Sequence, residues 1–198
     1  MRTFPFDHEL KKPIRFYPTR PKTMHGDVLE IGPGRGDLLF TLAKENPTKK
    51  FIAIELGKKR FSKLSENITK KKIENVLLIQ GNAWVVVPQF FEEGMFEKIF
   101  VLFPDPWPKD RHVFRRLINL EFVWLLTYVL KPGGHFIFGT DVGWYAHQVD
   151  LLMEQIPLLK NILPMKISSS LEDMPPTFFE QKWRKLGREI YFLKYKKL

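Results

Sequence analysis

The sequence contains no cysteine among its 198 residues. This excludes a disulfide framework, catalysis by a thiolate, and zinc or iron–sulfur sites with cysteine ligands. Long apolar runs are also missing, since no stretch approaches the roughly 18 residues that a transmembrane helix needs. The first residues, MRTFPFDHELKKP, lack the apolar segment of a secretory signal. From these absences we expect a cytoplasmic protein that does not bind a membrane.

Acidic residues are scarce relative to basic ones. The chain has 32 Lys and Arg against 22 Asp and Glu, which gives a formal net charge of +10. This balance makes the protein a candidate for binding polyanions such as nucleic acids, and a solvated lysine-rich surface is the alternative. His112 lies next to Arg111 and is expected to contact a phosphate or cap a helix, and the other four histidines show no metal-ligand spacing, so we expect no metal site.

Short apolar segments alternate with amphipathic ones along most of the chain. Buried strands are predicted at residues 27–31, 49–55, 75–81, 98–103 and 135–141. Helices are predicted at residues 36–47, 58–73, 112–130 and 144–156, with a short or broken helix around Pro88. The helix at 112–130 is expected to end at the sequence KPGG. Such alternation is typical of an α/β fold in which helices cover both faces of a parallel sheet.

The C-terminal part of the sequence breaks this alternation. Residues 164–171 and 187–197 are predicted to form two strands, separated by a polar, proline-containing loop at 171–186. They would form an antiparallel hairpin at one edge of the sheet and complete a seven-stranded, mostly parallel sheet. Residues 1–198 are expected to form a single domain, with residues 1–25 as a basic N-terminal arm.

A glycine-rich loop follows the first predicted strand. Its glycines are Gly32, Gly34 and Gly36, in the sequence EIGPGRGD. Glycines at this place let the backbone approach a ligand closely. The spacing differs from the G-x-G-x-x-G of a dinucleotide site, and Asp37 would repel a phosphate. A cationic or zwitterionic ligand fits better, and a plain tight turn is the alternative.

Polar residues also stand at the ends of the next two predicted strands. Glu55 could accept both hydroxyls of a ribose, and Asn82 with Ala83 could read the edge of an adenine. The carboxyl ends of parallel strands meet at one edge of a sheet, so these residues should lie near the glycine loop. A ligand with a sugar, an adenine and a positive centre is S-adenosylmethionine, which is the predicted cofactor.

The fourth predicted strand ends in an unusual loop, FPDPWPK, at residues 103–109. Each proline fixes φ and removes a hydrogen-bond donor, which stiffens the loop. Asp105 would then be held in a fixed position toward a substrate, as catalysis by positioning requires. The alternative is an acidic turn residue that caps the next helix.

The combination of EIGPGRG, FPDPWPKDRH, RRL, GTD and a late T-x-x-E resembles the bacterial tRNA (guanine-N7)-methyltransferases. The resemblance covers residues 27–195 and implies a Rossmann-like, class I methyltransferase fold. It implies that Glu30, Glu55, Asn82 and Asp105 contact the cofactor and that Asp105 is also the catalytic acid. It implies substrate contacts for Lys109, Asp141, Thr177 and Glu180. The family's substrate is a guanine of the tRNA variable loop, at position 46.

The chemistry of guanine N7 suggests how Asp105 would act. N7 carries a lone pair and no proton, so its attack on a methyl group needs no general base. Asp105 is expected to accept hydrogen bonds from guanine N1–H and the exocyclic amine, and to stabilise the positive charge that forms on the base.

Clusters of basic residues should bind the tRNA phosphates. We expect these contacts from the C-terminal segment and from the residues around the predicted catalytic loop, which are Lys109, Arg111, Arg115 and Arg116. The basic residues of the helix at 58–73 are expected to form a solvated face instead.

Three other functions fit parts of the sequence. The first is a methyltransferase of the same fold that acts on an amino group of a protein or another nucleic acid. The second is a basic RNA-binding module with a vestigial cofactor site. A nicotinamide-dependent dehydrogenase is the third, and the glycine spacing disfavours it. The sequence leaves the oligomeric state open.

Overall fold

The computed structural model describes residues 25–198, so the predicted basic arm before His25 lies outside the described residues. The described chain forms a seven-stranded sheet with the order β3-β2-β1-β4-β5-β7-β6. The strands are β1 (Val28–Ile31), β2 (Phe51–Glu55), β3 (Val76–Gln80), β4 (Phe96–Leu102), β5 (Leu130–Thr140), β6 (Leu159–Asn161) and β7 (Tyr191–Lys197). The first five strands pair in parallel, whereas β7 is antiparallel to both β5 and β6. The predicted fold class is confirmed.

Helices cover both faces of the sheet. They are α1 (Asp37–Glu45), α2 (Lys58–Lys70), α3 (Ala83–Phe90), α4 (Leu120–Val129), α5 (Gly143–Glu154), α6 (Phe178–Lys185) and a 3-10 helix (Asp110–Arg115). One hydrophobic core contains residues of α3, α4 and α5, and a second core on the opposite face contains residues of α1 and α2. Every residue of β1 and β2 is buried, which explains why these strands are apolar without alternation except for Glu30 and Glu55.

The helix predicted at residues 112–130 is divided in two. The 3-10 helix ends at Arg115, and α4 begins only at Leu120, where the Asn119 side chain accepts a hydrogen bond from the Phe122 N–H at 2.9 Å. Helix α4 ends at Val129, within one residue of the predicted end, but the KPGG sequence that follows is not a separate helix-ending turn. It lies inside β5, where the partner of Phe96 is Leu130 and that of Lys98 is His135. The register of the β4–β5 pair shifts between these two positions, and Pro132 lies in this irregular stretch, where a proline is tolerated.

The C-terminal hairpin is antiparallel as predicted, but its first strand is misplaced in the prediction. The partner of β7 is β6, which precedes residues 164–171, and within that predicted strand only Ser168 forms a bridge, to Phe192. The predicted loop at 171–186 contains α6. The Thr177 hydroxyl caps this helix by accepting a hydrogen bond from the Glu180 N–H at 3.2 Å, a favourable start for a helix.

The topology places the carboxyl ends of β1, β2, β3 and β4 at one edge of the sheet. The segments that leave this edge are the glycine loop, Leu56, Gly81 and the loop at 103–109. In open α/β sheets, ligands bind at this edge. Between residues 25 and 198, no helix has the length and apolarity needed to cross a membrane.

Candidate active site

The glycine loop connects β1 to α1 through left-handed backbone. Gly36 has a φ of 82°, and a Cβ atom there would lie 2.6 Å from the ring of Phe40. Gly32 has a φ of 73° but no atom within 4 Å of a Cβ position. Gly36 is therefore needed for packing, whereas Gly32 leaves open space beside the backbone, as a ligand-binding turn requires. Gly34 lies between them, and its Cβ position is 3.2 Å from the ring of Phe179 in α6.

Glu30 is a buried carboxyl group in β1, just before the glycine loop. Its side-chain oxygen Oε2 is inaccessible and has no hydrogen-bond partner within the described chain. Burial, and to a smaller extent the nearby Asp37, raises the pKa of Glu30 to about 8. An unpaired buried carboxylate is costly unless a cation neutralises it. This environment therefore suits a ligand that brings a positive charge.

Glu55 and Asn82 lie at the ends of the neighbouring strands, as predicted. Glu55 is buried, and its Oε1 accepts a hydrogen bond from the Gly57 N–H at 2.7 Å. Asn82 caps α3, because its Oδ1 accepts from the Trp84 N–H at 3.0 Å. The Asn82 amide nitrogen remains the group suited to an adenine edge, and Ala83 is the first residue of α3. Contacts of these residues with a cofactor stay predictions.

Leu56, which follows Glu55 directly, was not among the predicted site residues. Its side chain is 70% exposed. An apolar side chain at this edge, next to a residue suited to a ribose, could cover one face of the adenine. The feature of the sequence that could have indicated Leu56 is its position between the end of β2 and Gly57, the residue that precedes α2.

The FPDPWPK loop holds Asp105 between two residues with unusual backbone. Phe103 has a φ of 51° and Trp107 a φ of 43°. For residues other than glycine, each such conformation costs about 1–3 kcal/mol and persists only where the surroundings enforce it. Asp105 is exposed, and the following 3-10 helix has no side-chain cap. The alternative role of Asp105 as a helix cap is therefore not supported.

Arg116 holds this loop in place. Its Nε donates to the carbonyl oxygens of Pro106 at 3.0 Å and Trp107 at 3.3 Å, and its Nη2 donates to the Trp107 oxygen at 3.2 Å. Nη1 donates to Gln148 Oε1 at 2.9 Å, and the guanidinium lies over the ring of Trp144. The sequence placed Arg116 among the phosphate-binding residues, but the structure buries it, with 9% of the residue exposed. We assign it a positioning role.

Replacing Arg116 by lysine is expected to lower kcat by about 10- to 100-fold, because one ammonium group cannot replace the planar fork and a small displacement of Asp105 is costly. The KM for the nucleic acid and the cofactor affinity should change little. Steady-state kinetics and calorimetry on the folded variant measure both. Gln148→Ala removes the Nη1 partner alone and should have a smaller effect. A rise in KM with unchanged kcat would instead indicate that Arg116 binds substrate.

The residues predicted to contact the substrate are spread around this edge. Lys109 and Arg111 are exposed beside the loop. Asp141 follows β5 and forms an ion pair with Arg188. Thr177 and Glu180 are buried, and Glu180 forms an ion pair with Arg184 at 2.9 Å. Thr177 and Glu180 therefore also build α6, and their substrate contacts stay predictions.

Helix α6 connects the two loops of the site. The ring of Phe179 contacts the Gly34 region and lies 6.4 Å from the ring of Phe103, measured between ring centroids. The guanidinium of Arg35 lies 4.0 Å above the ring of Phe178. This arrangement brings the T-x-x-E segment against the glycine loop and the start of the FPDPWPK loop, although a polar loop was predicted there.

His112 and Trp107 contact each other in the described structure. Their rings are perpendicular, with centroids 5.5 Å apart, and the guanidinium of Arg115 lies 5.0 Å from the Trp107 ring. Within residues 25–198, no group of three or more His, Cys, Asp or Glu side chains could hold a metal ion.

Comparison with known proteins agrees with this geometry. A family model described as "Putative methyltransferase" matches residues 25–193. A tRNA (guanine-N(7)-)-methyltransferase of Syntrophotalea carbinolica is 32% identical over 170 residues, which is 86% of this chain and 73% of the relative. The protein of the same name from Nitrosomonas europaea is 37% identical over 164 residues, covering 82% and 72% of the two chains.

Solved structures agree on the fold. A SAM-dependent methyltransferase from Aquifex aeolicus superposes with a TM-score of 0.60 at 16% identity, covering 89% of this chain and 84% of that one. An rRNA methylase from Streptococcus thermophilus has a TM-score of 0.59 at 14% identity, with 89% of each chain covered. Together with the sequence relatives, the glycine loop and the FPDPWPK loop, these findings establish that the chain belongs to the tRNA (guanine-N(7)-)-methyltransferase family.

Proposed function

We propose that the protein transfers a methyl group from S-adenosylmethionine to N7 of a guanine in tRNA, at position 46 of the variable loop. The observation that carries the proposal is the exposed Asp105, fixed between two left-handed residues at the same sheet edge as the buried, unpaired Glu30. Relatives named tRNA (guanine-N(7)-)-methyltransferase support the choice of substrate. A cytoplasmic location follows from this substrate.

The cofactor, when bound, supplies an electrophilic methyl group on a sulfonium centre. Glu30 is the group suited to the positive charge that the cofactor brings, because Oε2 has no partner within the described residues. Glu55 would hold the ribose through the oxygen that Gly57 does not use. Asn82 and Ala83 would hold the adenine, and the open space at Gly32 would receive the part of the ligand nearest the glycine loop.

Asp105 orients the base and needs to remove no proton. A carboxylate can accept from both guanine N1–H and the exocyclic amine, a pair of donors that adenine does not offer. It also places a negative charge near the purine as the purine becomes positive. Because Arg116 and the three prolines of the loop restrict its backbone, this charge is preorganised and reorganises little during the reaction.

The proposal is tested by incubating the protein with labelled cofactor and a tRNA transcript carrying guanine at position 46. We expect 7-methylguanosine on nucleoside analysis and chain cleavage at position 46 after treatment specific for that nucleoside. A transcript with adenine at position 46 serves as the matched control and should stay unmodified. A methylated amino group instead of 7-methylguanosine would favour the rival methyltransferase, and label in protein alone would exclude tRNA as the substrate.

A further inference from the structure

A cleft of 530 Å³ lies between α1 and α2, beside the glycine loop. Five cationic residues line it, against one lining carboxylate within the described chain, Asp37; the five are Arg35, Lys44, Arg60, Lys63 and Lys71. Its apolar walls are formed by Phe40, Leu64 and Phe179. Of the predicted cofactor residues, Gly34 lines the cleft, whereas Glu30, Glu55 and Asn82 do not, so the cleft borders the candidate cofactor site and extends away from it between α1 and α2.

We propose that this cleft binds a segment of the RNA substrate away from the target guanine. The inference rests on the proposed function. Phosphates of the segment would lie among the five cations, and a base would contact the ring of Phe179. A free mononucleotide carries at most about two negative charges, whereas successive phosphates of a chain carry one each. The five cations therefore exceed the charge of a mononucleotide and suit several successive phosphates of a polynucleotide.

The position of the cleft would allow one RNA molecule to contact both the cleft and Asp105. Phe179 forms one wall of the cleft, and its ring also lies 6.4 Å from Phe103 at the start of the loop that holds Asp105. Arg35 belongs to the glycine loop itself. An RNA that reaches Asp105 with one nucleotide could thus reach the cleft with another part of its chain.

The cleft also divides the basic residues of α2 into two groups. Arg60 and Lys63 line it, as does Lys71 immediately after the helix. Lys59 and Lys70 belong to the same helix, are exposed, and do not line it. All of these side chains are exposed, so the solvated face expected from the sequence stays a prediction, and the two groups provide a matched pair of variants.

The experiment compares Lys63→Gln/Lys71→Gln with Lys59→Gln/Lys70→Gln, which remove equal charge from neighbouring positions. We expect the cleft variant to raise the Kd for tRNA by about tenfold or more at low salt and to reduce the slope of log Kd against log salt by about 1.4–1.8. At about 0.15 M salt the control variant should stay within about twofold of wild type, because Lys59 and Lys70 do not line the cleft and charges that do not contact the RNA are largely screened at that ionic strength. Cofactor affinity, measured by calorimetry, should be unchanged in both.

Equal effects of the two double variants, or no effect of either, would overturn the cleft as an RNA site. The proposal would also be overturned if inorganic phosphate or AMP bound in the cleft while the wild type and both double variants bound tRNA with equal affinity. Because tRNA binding is measured directly, this test is separate from that of the proposed function. A wild-type protein that binds tRNA through the cleft but forms no 7-methylguanosine would contradict only the proposed reaction.

Discussion

Replacing Glu30 by glutamine is expected to weaken binding of the proposed cofactor by at least about 100-fold, because it removes the carboxylate that would face a buried positive charge.

The same change should stabilise the cofactor-free protein at high pH. Burial raises the pKa of Glu30 from 4.5 to about 8. Between these two values the folded state keeps a proton that the unfolded chain releases, so wild-type stability falls as pH rises.

The size of this effect follows from the shift in pKa. Glu30 should cost the wild-type protein about 4 kcal/mol of unfolding free energy between pH 4.5 and pH 8. Glutamine has no proton to lose, so the variant should not show this loss. Denaturant unfolding without cofactor, measured across this pH range, tests the prediction. Glu66→Gln, an exposed change on α2, is the control for loss of one negative charge at the surface.

Cofactor binding offers a second measurement at Glu30. If the bound cation pairs with the carboxylate, Glu30 must ionise, and binding at pH 7 should release close to one proton. Calorimetry in buffers of different ionisation enthalpy counts that proton, and the Glu30→Gln variant should release none. Binding of equal strength in both proteins, without proton release, would exclude Glu30 as the partner of the cation.

The sheet could be predicted because its strands carry a strong local signal. Strands β1 and β2 are buried over their whole length, and the resulting apolar runs are bounded by glycine or polar residues. The division of the helix at 112–130 could not be predicted in this way. The apolar spacing is similar for one helix or two, and the break depends on Arg116 reaching carbonyl oxygens of residues about ten positions earlier.

The C-terminal differences have a similar origin. Strand β6 has only three residues, which is too few for a periodic pattern to be visible in the sequence. It is this short strand, and not residues 164–171, that pairs with β7. Helix α6 did have a signal, since threonine followed three residues later by glutamate is typical of a helix start. The neighbouring prolines and aromatic residues concealed it, because they also suit a loop.

The positions of the candidate site residues in the fold were predictable where a motif carries the chemistry, and their roles stay predictions. Glu30, Glu55 and Asp105 stand in sequence patterns that indicate an edge of strands and a rigid loop. The strained backbone at Phe103 and Trp107 and the positioning role of Arg116 were missed, because their partners are backbone atoms of other segments. The cleft beside α2 likewise depends on how α1, α2 and α6 pack.

Asp105→Ala is expected to lower kcat for tRNA methylation by about 100- to 1,000-fold, with cofactor affinity reduced only modestly. The variant loses both the hydrogen-bond acceptors for guanine and the negative charge beside the developing cation. Asp105→Asn keeps the shape of the side chain but not its charge, and an amide presents one acceptor where the carboxylate presents two. Its loss should therefore be nearly as large, and single-turnover rates at saturating tRNA measure both.

A substrate change separates this role from a general effect on the loop. Inosine at position 46 keeps N1–H and N7 but lacks the exocyclic amine, so wild-type protein should methylate it at least about tenfold more slowly than guanine. Asp105→Ala has no acceptor that the missing amine would leave unpaired, so it should treat the two bases alike. This forms a double-mutant cycle between side chain and base. If both Asp105 variants kept the wild-type preference for guanine, another residue would have to recognise the amine, and Asp105 would act through charge alone.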